Sequence, residues 1–565
     1  MKRMRSILCL LLALLCLVGC SNGAVTENPT TAPDSSGAAL DTQPIVVQTA
    51  AQTAARTEAA LAQIKTLGES PDDNYRTFYE VFVYSFCDSN GDGIGDILGL
   101  ISKLDYLEGL GIQGIWLMPI HPSQSYHKYD VRDYYAIDPA YGTLEDFDKL
   151  IEECEKRNIH VIIDLVLNHT GDDNTMFLEA VNYLKTLPAG AEPNAADCKY
   201  VDYYFFSREQ GNGYHAIPGT QWYYEGMFSP DMPDVNFENE ELWAEIRNIM
   251  QFWIDRGVSG FRLDAAKEFY SGSVSRNVEV LSRIQETATS IKPDCYLVAE
   301  VWENFGTIKE YYKSGITSIF NFAFGNSNGK ITQVLRAAGT ATTVQTFATA
   351  LETADTGYGE SNPNYIDAPF LSNHDVGRIA GFVNRDPAKI KMAGAMNVLM
   401  SGGCFIYYGE ELGMPGSGND PSKRAPMLWN EARNEGTTGL PPECVLPEEY
   451  PLGSLEVQEH DDLSVYNYYR QLIAIRNALP VIARGNTTCE TELNVGCVSA
   501  QRKTWGEETC IILMNIDPAA ATADLSAYEG WTMVASLSVS EEEVTMDGAT
   551  VHLPPYGIAV LQPGA

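Results

Sequence analysis

From residue 79 onward, short apolar runs alternate with longer stretches in which apolar residues recur at helical spacing. The runs are YEVFVYSF (79–86), GIWLMPI (114–120), HVIIDLVLNH (160–169), GFRLD (260–264), CYLVAEVW (295–302), TSIFNF (317–322), APFLSNHD (368–375) and CFIYYGEE (404–411). Such runs read as buried strands, and apolar positions at i, i+3, i+4 and i+7 read as amphipathic helices. Eight strands separated mostly by helical patterns predict an α/β fold, a parallel (β/α)8 barrel. Most strand-to-strand intervals are about 20 to 45 residues, a usual size for a βα unit. The third, from His160 to Gly260, spans 100 residues. A large insertion therefore follows strand 3, over 170–236, rich in Tyr, Phe, Trp, Gly and Asn and suited to a loop-rich subdomain above a binding site. Past Arg476 the helical pattern ends. The segments TCIILMNI, TMVASLSV and GIAVLQ predict an antiparallel C-terminal β domain, a β-sandwich over 486–565.

The N-terminus reads as a processing segment. Lys2, Arg3 and Arg5 precede an apolar run of 12 residues from Ile7 to Val18, too short to span a bilayer comfortably. The run ends in LVGC, which resembles a bacterial lipoprotein cleavage box. That resemblance makes 1–19 a signal peptide and Cys20 the lipidated first residue of an exported protein, held on the extracytoplasmic face of the membrane through its lipid alone. Residues 20–74 form a tether rich in Thr, Ala, Ser, Gly and Pro, then an Ala-rich stretch over 46–68 predicted as a helix, packed on the body or part of the stalk. The barrel is expected over 75–169 and 237–485.

Charge and cysteines narrow the classes. The formal net charge of −37 over 565 residues argues against nucleic acid as a partner, because phosphate binding needs clustered Lys and Arg. No protein partner is implied. Of the 12 cysteines, Cys9 and Cys16 fall in the signal segment. The nine after Cys20 show neither CxxC spacing nor a disulfide framework.

The active site of a parallel barrel lies at the C-terminal ends of its strands. The polar residues that end these runs are Asn168, His169, Asp264, Glu300, His374 and Asp375. Acids and histidines thus converge on one face. Arg262 precedes Asp264 by two residues, so both side chains point the same way off the strand, and the guanidinium is placed to keep Asp264 ionised. Glu300 ends an apolar strand beside Trp302, a poorly solvated position that raises a carboxyl pKa. Arg378 is placed to pair with an acid just after the run that ends in Asp375.

DLVLNH, GFRLDAAKE, EVW and FLSNHD resemble, in order, the four principal blocks of the α-amylase family, glycoside hydrolase family 13. The resemblance extends from about Tyr79 to Gly485 and includes MPDVN (232–236) and FIYYGEELGM (405–414). It is closest to the group between the oligo-1,6-glucosidases and the neopullulanases. It implies Asp264 as nucleophile, Glu300 as general acid/base and Asp375 as the third acid of a retaining α-glucan hydrolase. It further implies that His169, Arg262 and His374 serve the sugar at the cleavage point, that Tyr129 stacks beneath it, and that Lys267 contacts sugar beyond the cut. Glu268 stands where the family pattern has a histidine. Ala265 is similar to the small residue of enzymes that cut α-1,4 bonds, which implies endo-cleavage of starch or maltodextrin. An α-glucosidase or neopullulanase on short or branched glucans, and a transglycosylase, would use the same residues. A non-catalytic glucan-binding member would be expected to lack one of the three acids, and all three are present.

The string DSNGDGIGD carries a second chemistry. Asp88, Asn90, Asp92 and Asp96 alternate oxygen side chains, with glycine at the sixth position, a pattern that wraps a hard cation. Position 12 is Gly99 rather than the glutamate of an EF-hand. Relatives bind structural calcium here, which implies Asp88, Asn90, Asp92, Asp96 and the Ile94 carbonyl as ligands. Asn168 matches a residue at a second calcium in many α-amylases.

Overall fold

In the computed structural model, residues 54–446 and 450–564 are described; the expected signal segment, tether and Cys20 lie outside them. The barrel opens with β1 (Thr77–Val81), β2 (Gly114–Leu117) and β3 (His160–Leu165). The insertion follows, with a helix at Thr175–Thr186 and a small antiparallel sheet of β4 (Phe206–Ser207), β5 (Tyr214–Ala216) and β6 (Tyr223–Glu225). The barrel resumes with β7 (Gly260–Leu263), β8 (Tyr296–Ala299), β9 (Ser318–Ile319) and β10 (Cys404–Tyr407). These seven strands pair in parallel in the order β10-β1-β2-β3-β7-β8-β9.

Two expected strands are corrected. The run at 79–86 is strand only to Val81, and Val83–Phe86 make one helical turn. The run at 368–375 is reduced to one parallel bridge, Phe320 to Ala368. Pro369 has no N–H to donate, and the Asp367 carboxylate accepts the Ala368 N–H at 3.0 Å. Neither amide therefore enters a ladder. The segment still closes the barrel through its carbonyls: Asp367 accepts from Gly403 N at 2.8 Å, Ala368 from Asn321 N at 3.0 Å and Pro369 from Phe405 N at 2.9 Å.

Capping and amphipathicity set the helices. Leu144–Glu155 begins in a capping box between Thr143 and Asp146 and buries Phe147, Leu150, Ile151 and Cys154. Glu240–Ile254 is capped by Asn239 and buries Leu242, Trp243, Ile246, Ile249, Met250 and Trp253. Inside the barrel Phe78 stacks on Tyr296 and Phe405, with ring centroids 5.1 and 4.8 Å apart. At Gly260 a Cβ would meet the Tyr296 carbonyl oxygen at 1.9 Å, so β7 and β8 approach as they do only because no side chain is there.

The C-terminal domain has a five-stranded antiparallel sheet and a three-stranded one. Along Glu508–Asn515 the side chains alternate. Ile511 and Leu513 face the second sheet with Val551 and Leu553, while Cys510, Ile512 and Met514 join the barrel core. The helix expected within 46–68 runs over Ala55–Ile64 and packs on the body. Asp462 accepts from both the N–H and the hydroxyl of Thr57 at 2.8 and 2.9 Å, and Glu58 pairs with Arg470 at 2.7 Å. The nine cysteines described are all free thiols. No helix among the described residues is long and apolar enough to cross a membrane.

Candidate active site

The strand ends deliver their polar residues to one cleft of about 960 Å³, lined by Tyr129, His169, Asp264, Lys267, Glu300 and Asp375 among others. Arg262 is its electrostatic centre. The side chain is fully buried above the Trp116 ring, 5.2 Å from its centroid. Its Nη1 donates to Asp264 Oδ1 at 2.6 Å and to Asp164 Oδ1 at 2.9 Å. Its Nη2 stands 3.0 Å from Glu300 Oε2, a charge contact that is not aligned as a hydrogen bond. One cation thus sits among the carboxylates of three adjacent strands, β3, β7 and β8.

Their surroundings separate the two acids. Burial pushes the Glu300 carboxyl above its usual value; Arg262 opposes this, and the charges of Asp264 and Asp375 add to it. The Ala265 N–H donates to Glu300 Oε2 at 3.1 Å. Ala265 does so from a left-handed backbone conformation, φ +46°, uncommon for a residue with a side chain and found most often at functional sites. Asp264 lines the same cleft, 8% exposed, and lies 2.6 Å from Arg262 Nη1.

Asp375 is gripped from two sides. Its Oδ2 lies 3.0 Å from His374 Nε2 and its Oδ1 2.8 Å from Arg424 Nη2. Burial would raise its carboxyl, but His374 and Arg424 outweigh burial and hold it well below the usual carboxylate range. Burial likewise opposes the charge on His374, yet Asp375 and Glu80 carry its pKa up to about 9. Both ring nitrogens then donate, Nδ1 to Glu80 at 2.6 Å and Nε2 to the Tyr129 hydroxyl at 2.6 Å, with Asp375 Oδ2 a charge contact at 3.0 Å. Tyr129 stacks on His374 with centroids 5.5 Å apart and planes 17° apart, and donates its hydroxyl to Asp164 at 3.1 Å.

His169 is buried and its pKa is lowered, chiefly by burial. Among the described residues its buried Nε2 has no hydrogen-bond partner. Lys267 donates to the Trp302 carbonyl at 3.3 Å and to Glu303 at 3.4 Å. Trp302 is 43% exposed, Phe228 is 53% exposed, and Glu268 also lines the cleft. Two uncharged aromatic faces and polar groups of both signs suit a neutral polyhydroxyl ligand.

Three residues of this network escaped the sequence reading. Glu80 and Asp164 are carboxylates inside otherwise apolar strands, and a buried acid of that kind needs a partner, so a signal was present. Arg424 gave none, because it lies in an aperiodic loop 49 residues after Asp375. It donates also to the His374 carbonyl at 3.1 Å and to Tyr126 Oη at 3.0 Å. Arg378 is corrected: it is buried and donates to the carbonyls of Tyr408 at 2.6 Å and Lys423 at 3.1 Å, not to an acid. A long planar donor set answers free carbonyls at a loop end as readily as a carboxylate.

The 88–96 loop lies away from these residues in the chain, just after β1. Asp88 accepts the N–H groups of Asn90, Gly91 and Gly93; Asn90 accepts that of Asp92, and Asp92 that of Ile94. Asp96 caps the following helix through Gly99 N at 2.7 Å. Three carboxylates, an amide and a carbonyl are the donor chemistry of a hard cation. Among the described residues no three His, Cys, Asp or Glu side chains converge as a metal cluster; two of the five expected donors, Asn90 and the Ile94 carbonyl, are of other kinds. Asn168 donates to Asp234 at 3.1 Å.

Known proteins resemble the chain over most of its length. The family model described as alpha amylase, catalytic domain, matches residues 80–485. "Alpha-amylase 3" of Dictyoglomus thermophilum is 40% identical over 414 residues, covering 72% of this chain and 78% of that one. "Glucan 1,6-alpha-glucosidase" of Streptococcus pneumoniae is 31% identical over 466 residues, covering 70% and 83%. The solved structure titled "Eubacterium rectale Amy13B" superposes with a TM-score of 0.86 at 43% identity, covering 90% of this chain and 99% of that one. The chain belongs to the α-amylase family and is a glycoside hydrolase of α-glucans.

Proposed function

We propose that the chain is a retaining endo-hydrolase of α-1,4-glucosidic bonds in starch and maltodextrin. The observation that carries the reading is the pair of carboxyls on Arg262, Asp264 at 2.6 Å and Glu300, with a raised pKa, at 3.0 Å. Asp264 attacks the anomeric carbon while Glu300 gives its proton to the departing glycosidic oxygen, leaving a covalent glycosyl-enzyme. Glu300, now a carboxylate, takes a proton from water as that water displaces Asp264. Asp375, fixed as an anion, holds hydroxyls of the distorted ring, with His169 and His374 beside it and Tyr129 beneath. Lys267 serves the leaving-group side.

Endo-cleavage of α-1,4 bonds is favoured by Ala265 and by exposed aromatics on two parts of the cleft wall. The test is a timed product profile on amylose, pullulan and isomaltose. Mixed maltodextrins early from amylose, with isomaltose untouched, are expected. Glucose alone, or panose from pullulan, would move the assignment to an α-glucosidase or neopullulanase; the Streptococcus pneumoniae relative is named a 1,6-alpha-glucosidase.

Arg424 is a positioning residue in this scheme. Arg424→Met leaves Asp375 with one cation and frees the Tyr126 hydroxyl. Loss of a charge-assisted bond of this kind costs about 1.5–3 kcal/mol, so kcat/KM on maltotriose should fall roughly 10- to 100-fold. A raised Asp375 pKa, seen as an acid limb moved to higher pH, would separate this role from general destabilisation.

The 88–96 loop is proposed to hold a structural calcium ion. At 100 times its Kd a bound ion adds about 2.7 kcal/mol of stability. Chelation is therefore expected to lower Tm by several degrees, and Asp92→Ala to abolish the difference. An unchanged Tm would remove calcium from the account. Lipidation at Cys20, with an extracytoplasmic location, is likewise proposed on the LVGC resemblance; Cys20→Ala is expected to release the protein from the membrane fraction.

A further inference from the structure

Lys128, the residue before Tyr129, has φ +65°. A long side chain in the left-handed region is uncommon and carries a cost that glycine would not. Lys128 is also buried, 5% exposed. Such a conformation persists only where its surroundings fix it, and it gathers at functional sites. The side chain must therefore do something glycine cannot. Its Nζ donates to Asp138 Oδ2 at 2.6 Å, with both side chains more than nine-tenths buried. The ammonium also lies 4.7 Å from the centroid of the buried Tyr141 ring, a cation–π contact. Asp138 is itself fixed to the barrel. Its N–H donates to the Ile120 carbonyl at 2.8 Å, just past β2. Its Oδ1 accepts the Ala140 N–H at 2.9 Å, and its carbonyl accepts that of Tyr141 at 2.8 Å.

On the other side of Tyr129, Asp130 closes the loop on itself. Its Oδ1 accepts from the Ser123 hydroxyl at 2.7 Å and from the Ser125 hydroxyl. Its Oδ2 accepts the N–H groups of Gln124 and Ser125, both at 3.2 Å. Ser125 Oγ in turn accepts the Lys128 N–H at 3.0 Å. The Asp130 cluster thus makes 123–130 a compact turn, and the Lys128–Asp138 pair ties that turn to the end of β2. Tyr129 stands between the two anchors. Its ring lies 5.5 Å and 17° from that of His374. Its hydroxyl accepts from His374 Nε2 at 2.6 Å and donates to Asp164 Oδ2 at 3.1 Å. A small backbone rotation at 128 would disturb the stack and both hydrogen bonds together.

We propose that Lys128 is a positioning residue for the bond-breaking step: its buried ion pair with Asp138 holds the backbone in a left-handed turn and so fixes the Tyr129 ring against His374. The proposal rests on the reading of Tyr129 as the platform beneath the sugar. Lys128 itself does not line the cleft, so its whole effect passes through Tyr129.

A double-mutant comparison tests this. Lys128→Gly keeps the turn accessible and removes the anchor; Asp138→Asn accompanies it, so that no unpaired charge is left buried. The pair of changes is made in the wild-type chain and in Tyr129→Ala, and kcat and KM are measured on maltotriose below the Tm of the least stable variant. In the wild-type chain kcat should fall about 10- to 100-fold, the scale on which a misplaced active-site group acts, with KM changed less than about threefold. In Tyr129→Ala the same changes should cost less than about twofold, because the ring they position is gone. Losses that multiply would make the ion pair a purely structural one and overturn the proposal. So would an undiminished kcat in the folded Lys128→Gly, Asp138→Asn protein. Wild-type kcat/KM in Tyr129→Ala alone would instead overturn the placing of Tyr129 beneath the sugar, and the proposal with it. Should the glycine variant not fold, Lys128→Met with Asp138→Asn, which keeps the side-chain volume and drops both charges, is put through the same comparison with the same expected results.

Discussion

Asp264→Asn is expected to lower kcat by about 10⁴-fold or more, the scale on which removing a covalent nucleophile acts. The amide keeps the shape of the side chain but cannot form the glycosyl-enzyme. Folding should survive, because Arg262 keeps Asp164 at 2.9 Å and Glu300 at 3.0 Å as neighbours. Affinity for maltoheptaose should change little, since attack belongs to the transition state and not to ground-state binding. The pairing of lost kcat with retained Kd and Tm is what distinguishes a nucleophile from a residue that shapes the cleft. Wild-type turnover by this variant would reassign the nucleophile.

Glu300→Gln carries the second large effect, and its size should depend on the leaving group. On maltodextrins, loss of a general acid costs about 10²- to 10⁴-fold. An aryl glycoside whose phenolate departs without a proton should form the glycosyl-enzyme nearly as fast as with wild type, then stall for want of a base. A burst followed by slow turnover is the expected trace. The same residue fixes the alkaline limb of the wild-type pH profile. A carboxyl raised above 4.5 stays protonated further up the pH scale, so activity persists above pH 4.5 and is lost as pH rises through the raised value. In Glu300→Gln that limb should vanish.

The barrel was legible because its strands are short apolar runs at regular intervals, and its catalytic face because strand ends aim their polar residues one way. The insertion was legible as a gap of 100 residues between His160 and Gly260. The seventh strand was misread because periodicity does not register that Pro369 lacks a donor or that Asp367 takes its neighbour's N–H. Arg424 was missed for a different reason. Its partners His374 and Asp375 are remote in sequence, and a loop without periodicity says nothing about what it folds against. The charge state of His374 was equally hidden, since it depends on Glu80, 294 residues away. Arg378 carried the right chemistry for an ion pair and found carbonyls instead.

The central claim is that Asp264 forms a covalent glycosyl-enzyme which water then opens, two displacements at one carbon. The most direct test is the anomeric configuration of the first products from maltoheptaose, followed by proton NMR before mutarotation. The account requires the new reducing ends to appear as the α-anomer and to drift toward equilibrium afterwards. Initial β-anomer would mean a single displacement by water, and would contradict Asp264 as the nucleophile.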